Sequence, residues 1–489
     1  MSPPLGAFRV AYAIFLFGLF AYFLPPSTWN PTTRFDLTRA IVEEHRLSID
    51  STVEDTGDRA FAGGHWYSDK APIPSLLAVP FYAVFLEFEH ARGDHPQFVA
   101  ASTPDLPAQH VSANASFVRG LYVCSLATAG VAATAIGLLL FELLRRRTTL
   151  VGALVGSSLT VLGTPIFPYA TSFYGHVVAG AFLLAAFVVT RDAPSRARMR
   201  IAGACLPLAV GCEYIVAVPA LVIALFVLAE RPRPERARAV VDLAIGALLP
   251  IVIVGAYHTA CFGAPFRTGY SFVVRPEFAA GHARGLLGVN APRPLPLAAL
   301  LFGRFRGLCF VAPIALVALV AMVVRIVRMA RAREDREVIA CGVTFLALLA
   351  VNAGYYMWWG GAAAGPRHLV PVVPFLAVGL AAAWKHERAR PLVVLVGVVS
   401  IVNMLVLAGV GLEAPEHGDV LFDYAYPELF AGRIARLGGA SNLGLRLGLV
   451  RGGTLGPPLA WLILGAGVLV RALRGSAAEE PKTSVADAG

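Results

Sequence analysis

The feature that most constrains this chain is a series of apolar stretches, most of them long enough to cross a bilayer as a helix. A membrane-spanning helix needs about 20 mostly apolar residues, because its backbone polar groups must be hydrogen-bonded within the helix itself. Twelve such stretches are centred near residues 16, 130, 157, 183, 207, 222, 248, 316, 347, 376, 401 and 464. The sequence therefore predicts an all-α polytopic membrane protein with about 12 transmembrane helices.

The composition excludes a soluble enzyme with a single anchor. Charged residues make up 15% of the 489 residues, whereas soluble domains carry roughly 25%. The deficit extends along the whole chain, and the mean hydropathy is +0.67. The formal net charge of +10 comes from basic residues clustered between apolar stretches. We interpret these clusters as a signal of membrane topology and predict no nucleic-acid partner.

Short arginine-rich gaps alternate with longer gaps along the chain. The basic clusters fall at residues 145–147, 191–200, 231–238, 325–336, 385–390 and 471–474. Because cytoplasmic loops carry an excess of Lys and Arg, these gaps and both termini are predicted to be cytoplasmic. Residues 1–474 then form the transmembrane domain, and the small polar tail 475–489 is predicted to be disordered. Any chemistry belongs on the extracytoplasmic face.

The first outer loop, residues 25–116, is the most acidic part of the chain. Twelve of the 31 acidic residues lie between Asp36 and Asp105. The apolar stretch 71–88 contains three prolines, so we expect an interfacial helix there in place of a span. A second interfacial helix is predicted just after the first span. Thr33 and Asp36 would form its capping box, and Leu37 and Ile41 would face the membrane.

Three carboxylates of this loop are candidates for a catalytic base. Asp36, besides its capping role, would stand near the bilayer surface and accept a proton from an incoming hydroxyl. Asp58 and Asp69 lie further along, and Asp69 directly precedes Lys70 and a proline-led helix start. Lys70 could hold a lipid-linked phosphate and stabilise its charge as it leaves. Asp69 remains open to three roles: helix cap, base or metal ligand.

Other polar residues stand where predicted spans reach the outer side. His176 opens a span and is either a packed residue, a metal ligand or a phosphate contact. Glu213 separates two short apolar halves and is either a solvated loop acid or a buried acid facing a cavity. Trp359 belongs to an interfacial aromatic pair. Arg367 begins a span, where it either reaches the headgroups or binds phosphate, and Arg34 is a weaker candidate for that role.

At this point the residues resemble a known superfamily. The run from Tyr67 to Pro72, Tyr-Ser-Asp-Lys-Ala-Pro, resembles the segment Tyr-Phe-Glu-Lys-Pro-Pro of GT-C glycosyltransferases. The similarity is greatest to the branch of lipid A aminoarabinose transferases and protein O-mannosyltransferases, and clearest over residues 30–90. Two shorter pieces, residues 163–176 and 358–367, are also similar. The resemblance implies transfer of a sugar from a polyprenyl-phosphate donor outside a bacterial cytoplasmic membrane.

The resemblance also implies roles for the candidate residues. Asp36, Asp58 or Asp69 would be the base of an inverting glycosyltransferase. The acceptor would be a lipid, a glycan or a protein. The substrate-binding residues would be Arg34, Tyr67, Lys70, His176, Glu213, Trp359 and Arg367. A divalent metal ion, if used, would be bound by Asp69 and His176; no other cofactor is expected.

One departure from the superfamily keeps other functions open. Its members usually have an Asp-Glu pair soon after the first span, and Asn30-Pro31 stands near that place here. A non-catalytic assembly protein of the same fold is therefore one alternative. A transporter or lipid flippase is another, since twelve spans with both termini inside suit a transporter. The absence of an internal repeat and the long outer loop favour the transferase.

Overall fold

The structure, a computed structural model, describes residues 5–100, 111–192, 195–329, 336–432 and 441–478. Helices dominate the described chain, and its strands form three short antiparallel pairs. The prediction of an α-helical protein is therefore confirmed. The strand pairs were not predicted, and one of them positions the candidate site.

The first part of the chain holds one apolar helix, the elements of the first outer loop, and a second long helix. A π-helical turn, Leu126–Gly130, joins the last two helices of this part into one continuous helix. The elements are α1 (Leu5–Phe20), β1 (Phe23–Leu24), α2 (Trp29–Glu43), β2 (Arg59–Ala62), β3 (His65–Ser68), α3 (Ile73–Ala91), β4 (Phe98–Ala100), β5 (Val111–Ala113), α4 (Ala115–Ser125) and α5 (Val131–Leu144).

In the rest of the described chain the regular elements are helices, apart from one short strand. The last helix ends at Ala478, so it includes the first four residues of the predicted tail, and residues 479–489 lie outside the described residues. The elements are α6 (Leu150–Leu162), α7 (Ile166–Ala170), α8 (Gly175–Val189), α9 (Arg196–Cys212), α10 (Ala217–Ala229), α11 (Arg236–Phe262), α12 (Pro276–His282), α13 (Pro294–Phe302), α14 (Leu308–Val311), α15 (Pro313–Met329), α16 (Arg336–Gly354), α17 (Ala377–Trp384), α18 (Arg390–Val410), α19 (Tyr426–Ala431), β6 (Ser441–Asn442), α20 (Leu443–Arg446) and α21 (Gly456–Ala478).

Each of the twelve predicted span centres lies in a helical segment. Six helices of the described chain are long and apolar enough to cross a membrane, and four shorter helices, of 10–17 residues, are also apolar. The six long ones are Ala115–Leu144, Arg233–Phe262, Arg336–Gly354, Arg367–Trp384, Glu387–Val410 and Arg451–Leu473. The chain therefore has the helices of a multi-pass membrane protein.

Three of the arginine-rich gaps meet at one end of the helix bundle. Arg147 and Arg191, from two different gaps, both form ion pairs with Glu337 at the start of α16. Arg146 pairs with Asp192 at 2.6 Å. These contacts join gaps that are separated by whole apolar helices, as expected if alternate gaps lie on the same side of the membrane.

Helix α3 covers the segment in which the sequence predicts an interfacial helix. It begins directly after Pro72 and has Pro74 in its first turn, where a proline costs no helical hydrogen bond, and it packs against α2 and α4. Its other face exposes Leu77, Phe81, Val84 and Phe88 at a spacing of three or four residues. This apolar stripe is available to lipid, while the opposite face is buried in the protein.

The helix predicted to begin near Thr33 differs from the expectation. Helix α2 begins at Trp29, with Pro31 in its first turn, so Thr33 and Asp36 lie inside the helix and form no capping box. Residues 30–40 are all buried. The helix is therefore enclosed by protein and does not lie on the membrane.

Candidate functional site

A β-hairpin brings two carboxylates to Lys70. The antiparallel register pairs Arg59 with Ser68, so the next residues outward, Asp58 and Asp69, become neighbours. The ammonium Nζ of Lys70 lies 3.0 Å from Oδ2 of Asp58 and 2.9 Å from Oδ2 of Asp69. We call these three residues the Lys70 group. It stands directly before α3, at the end of the helix that carries the exposed apolar stripe.

Burial and charge act against each other in the Lys70 group. Burial raises the pKa of Asp69, and the Lys70 ammonium opposes that rise without cancelling it. Burial lowers the pKa of Lys70, but Asp58 and Asp69 outweigh it and raise that pKa overall. Within the described chain, Oδ1 of Asp69 has no hydrogen-bond partner. The group therefore keeps a cation beside a carboxylate with enhanced affinity for a proton.

The segment Gly269–Phe272, a 3₁₀-helical turn, closes against the Lys70 group. A Cβ atom added to Gly269 would lie 2.7 Å from Cα of Asp69, so only glycine allows this approach. Next to it, the ring of Tyr270 stacks on His282 with 4.3 Å between ring centroids. The ring of Tyr356 meets His282 edge-on at 5.0 Å. These rings form an aromatic wall beside the carboxylates.

Arg34 connects three parts of the chain behind the Lys70 group. Its guanidinium lies 2.8 Å from Oε1 of Glu213, and it donates to the Ala71 carbonyl at 2.9 Å and to Oδ1 of Asn30 at 3.2 Å. The side chain of Arg34 is 1% exposed. Glu213 is also buried. Of the two interpretations that the sequence left open, a solvated loop acid and a buried acid, the structure therefore agrees with the second.

Two histidines lie beside Glu213. Nδ1 of His176 is 3.4 Å from Oε1 of Glu213, and the His176 ring lies 5.7 Å from the His368 ring. His368 is held by Oδ1 of Asn352 at 3.0 Å. The predicted metal ligands thus have different neighbours, since Asp69 pairs with Lys70. In the described ranges no group of three or more His, Cys, Asp or Glu side chains is arranged to hold a metal ion.

Arg367 is a cation without a carboxylate partner in the described part of the chain. Its guanidinium lies over the ring of Tyr174 at 5.8 Å. The turn at Gly360, with a φ of 82°, packs against it, because a Cβ there would lie 3.1 Å from Cγ of Arg367. The Tyr174 hydroxyl donates to Oε1 of Glu413 at 3.3 Å. Tyr174 and Glu413 were not predicted, since they are 239 residues apart and no motif connects them.

Asp36 lies apart from the Lys70 group. It follows Arg34 by two residues, which on a helix turns its side chain by about 200° to the opposite face of α2. There it is fully buried, and both carboxylate oxygens have no hydrogen-bond partner in the described chain. Arg39 is 3.9 Å away and also meets Glu43 and Asp55. Burial, reinforced by the Asp55 charge, raises the pKa of Asp36 well above its ordinary value.

Tyr67 and Trp359 also point elsewhere. Tyr67 points toward α11, where its ring meets Phe262 at 5.5 Å in an apolar cluster. The indole Nε1 of Trp359 donates to Oε2 of Glu416 at 2.8 Å. Of the ten predicted site residues, Asp58, Asp69 and Lys70 form one group, and Arg34, Glu213 and His176 form the next. Arg367 stands beside Tyr174, whose ring stacks with that of His176.

Solved structures of another membrane protein share this fold. ArnT from Cupriavidus metallidurans bound to undecaprenyl phosphate aligns with a TM-score of 0.53 and 15% identity, over 96% of this chain and 76% of ArnT. Its apo structure aligns with a TM-score of 0.51 and 16% identity over the same shares. No family model and no curated protein sequence matches the chain. The expected resemblance to a lipid A aminoarabinose transferase of the GT-C type is thus confirmed at the level of the fold.

Proposed function

We propose that this chain is a membrane-embedded inverting glycosyltransferase. It takes a sugar from a polyprenyl-phosphate donor and transfers it to a lipid, glycan or protein acceptor outside the cytoplasmic membrane of a bacterium. The Lys70 group carries the proposal, because it holds a cation between two carboxylates at the start of an apolar surface helix. The shared fold with ArnT, a structure of which binds undecaprenyl phosphate, supports this class of donor.

The donor lipid would keep its isoprenoid chain in the bilayer and present its phosphate to Lys70. Lys70 and Arg367 would stabilise the negative charge that develops on the phosphate as it leaves the sugar. Arg367 suits this role, since in the described chain it has no carboxylate partner and its guanidinium can bind phosphate through two hydrogen bonds. Asp58 would hold the Lys70 ammonium in place.

Asp69 is our choice for the base. Its Oδ1 makes no hydrogen bond in the described chain, and burial raises its pKa, which makes it a stronger proton acceptor. The acceptor oxygen forms a bond to the anomeric carbon as the bond from that carbon to the phosphate oxygen breaks. The acceptor proton goes to Asp69, and the polyprenyl phosphate leaves with the bonding electrons. The sugar inverts because attack and departure take place on opposite faces.

Asp36 does not take part in this proposed reaction, although the sequence made it the first candidate. Its place on the far side of α2 from Arg34 supports a structural role. The arginine-rich end of the bundle would face the cytoplasm together with both termini. The Lys70 group would then stand on the extracytoplasmic side, where a lipid-linked sugar meets its acceptor.

A transfer assay with two matched variants tests the proposal. The purified protein in lipid nanodiscs is offered a panel of undecaprenyl-phosphate pentoses and hexoses, with an extract of bacterial envelope as the source of acceptor. Asp69→Asn should lower turnover by about 10²–10⁴-fold, which is typical for loss of a general base. Asp36 is an equally buried carboxylate on the face of α2 opposite Arg34, and Asp36→Asn should retain turnover. Loss with Asp36→Asn and retention with Asp69→Asn would overturn the assignment.

A further inference from the structure

A tight turn with two leucines lies on the same side of the protein as the Lys70 group. In this leucine turn, residues 284–290, Leu286 and Val289 exchange backbone hydrogen bonds of 2.9 and 3.0 Å. The two residues between them, Leu287 and Gly288, have φ values of 52° and 88°. A two-residue hairpin with both central φ values positive is typical of Asn-Gly, and it strains a residue such as leucine.

The leucines are turned outward. Leu286 is 78% exposed and Leu287 is 38% exposed. An exposed leucine in a strained backbone conformation has no compensating interaction if the turn is surrounded by water. Contact with an apolar phase would supply one, because apolar surface is stabilised when it leaves water. The turn is therefore better explained by an apolar partner than by solvent.

Backbone hydrogen bonds fix the level of this turn relative to the spans. The amide of Asn290 donates to the carbonyl of Gly354 at 2.9 Å, and Val289 forms a bridge with Tyr355. Gly354 is the last residue of α16, one of the helices long and apolar enough to cross a membrane. The leucine turn thus stands where a span ends, which is the boundary between hydrocarbon and headgroups.

The surface next to the turn continues this apolar character. Helix α13 begins four residues after the turn, and it exposes Leu295 at 76% and Phe302 at 58%. Arg284 and Arg293, both exposed, stand on either side of the leucines. Apolar side chains flanked by arginines match a phospholipid surface, with acyl chains below and phosphates at the level of the guanidinium groups.

We propose that the leucine turn inserts into the bilayer leaflet on the side of the Lys70 group. Its partner is the phospholipid surface itself, and the contact does not depend on sugar transfer. The insertion also reaches the candidate site, because the amide of Tyr356 donates to the carbonyl of Gly288 at 2.9 Å. Membrane contact therefore helps to hold the aromatic wall in place beside the Lys70 group.

A spin-label measurement in nanodiscs tests this insertion. All six native cysteines are buried, so a cysteine introduced at an exposed position is labelled selectively. One variant is Leu286→Cys. The matched control is His65→Cys, because His65, with a side chain 59% exposed, flanks the turn Gly63–Gly64, whose φ values are also both positive. Each purified variant carries a nitroxide and is compared for collision with oxygen and with a water-soluble nickel chelate.

The two labels should differ clearly. The label at Leu286 should collide with oxygen, be shielded from nickel, and report a depth of about 5–10 Å into the boundary between headgroups and acyl chains. The label at His65 should collide freely with nickel. Both labelled variants should melt like the unlabelled chain, which shows that they are folded. If nickel then reaches both labels equally in nanodiscs, the leucine turn is not in the bilayer, and the proposal is overturned.

Discussion

Replacing Arg34 by methionine should destabilise the whole protein. Arg34 is 1% exposed and lies 2.8 Å from Glu213, and it also binds the Ala71 carbonyl and Asn30. Methionine fills much of the same volume but leaves the buried Glu213 carboxylate without its counter-charge. Removing one partner of a buried ion pair costs about 3–5 kcal/mol. If all of this appears in the unfolding rate, unfolding becomes faster by a factor of about 10² to 4 × 10³, since each 1.4 kcal/mol is a factor of ten.

The assay is the rate of thermal inactivation in detergent, because unfolding of a membrane protein of this size is often irreversible. The control is Arg196→Met, since the Arg196 side chain is 56% exposed and its partner Asp242, which is buried, keeps a second arginine, Arg200, at 2.9 Å. Because Asp242 keeps a counter-charge, loss of the half-exposed Arg196 should cost at most about 1 kcal/mol. Adding Glu213→Gln to Arg34→Met should restore part of the stability, because it removes the unpaired charge. Equal inactivation rates for Arg34→Met and Arg196→Met would refute the reasoning.

Three further predictions concern Asp69 of the Lys70 group, the separate buried carboxylate Asp36, and Gly269, which packs against Asp69. Turnover should fall as the pH is lowered through the raised pKa of Asp69, because the protonated carboxyl cannot accept a proton; a pH profile with its lower limb near the ordinary pKa of an aspartate would contradict this. The raised pKa of Asp36 stabilises the folded state at low pH, and this contribution is lost as the pH rises through it. The melting temperature of Asp36→Asn should therefore exceed that of the parent chain by a margin that grows as the pH rises. A difference in melting temperature that does not change with pH would count against this prediction. Gly269→Ala should lower the free energy of unfolding by about 1–3 kcal/mol and lower turnover, because its Cβ would lie 2.7 Å from Cα of Asp69. Gly467→Ala, which has open space around it, is the control and should change neither quantity in the same melting and transfer assays.

The helices could be predicted from the sequence because their signal is local. An apolar stretch bounded by arginines identifies a span without any knowledge of its neighbours, and all twelve predicted centres are helical. The pairing of Asp69 with Lys70 was equally accessible, since the two residues are adjacent. The strand register that brings Asp58 to them was not accessible, because β2 and β3 are four residues each and polar and apolar residues do not alternate regularly in their sequences.

The misplaced residues have physical reasons of the same kind. Helix α2 starts four residues earlier than its expected cap at Thr33, which places Arg34 toward Glu213 and Asp36 on the opposite face. Arg34 and Glu213 are 179 residues apart, so their pairing depends on how the helices pack. No local sequence pattern indicates that packing, and the sequence alone does not distinguish a buried acid from a solvated one.

The most direct test of the central claim is the binding of undecaprenyl phosphate to the purified chain in nanodiscs, measured by native mass spectrometry. The parent chain should bind the lipid, and Lys70→Met should lose most of that binding. Lys385→Met, which removes an exposed lysine at the arginine-rich end, should bind like the parent chain. Lys70→Arg keeps both ion pairs and should retain part of the binding, which separates loss of the charge from loss of the fold. Equal binding by Lys70→Met and the parent chain would contradict the account.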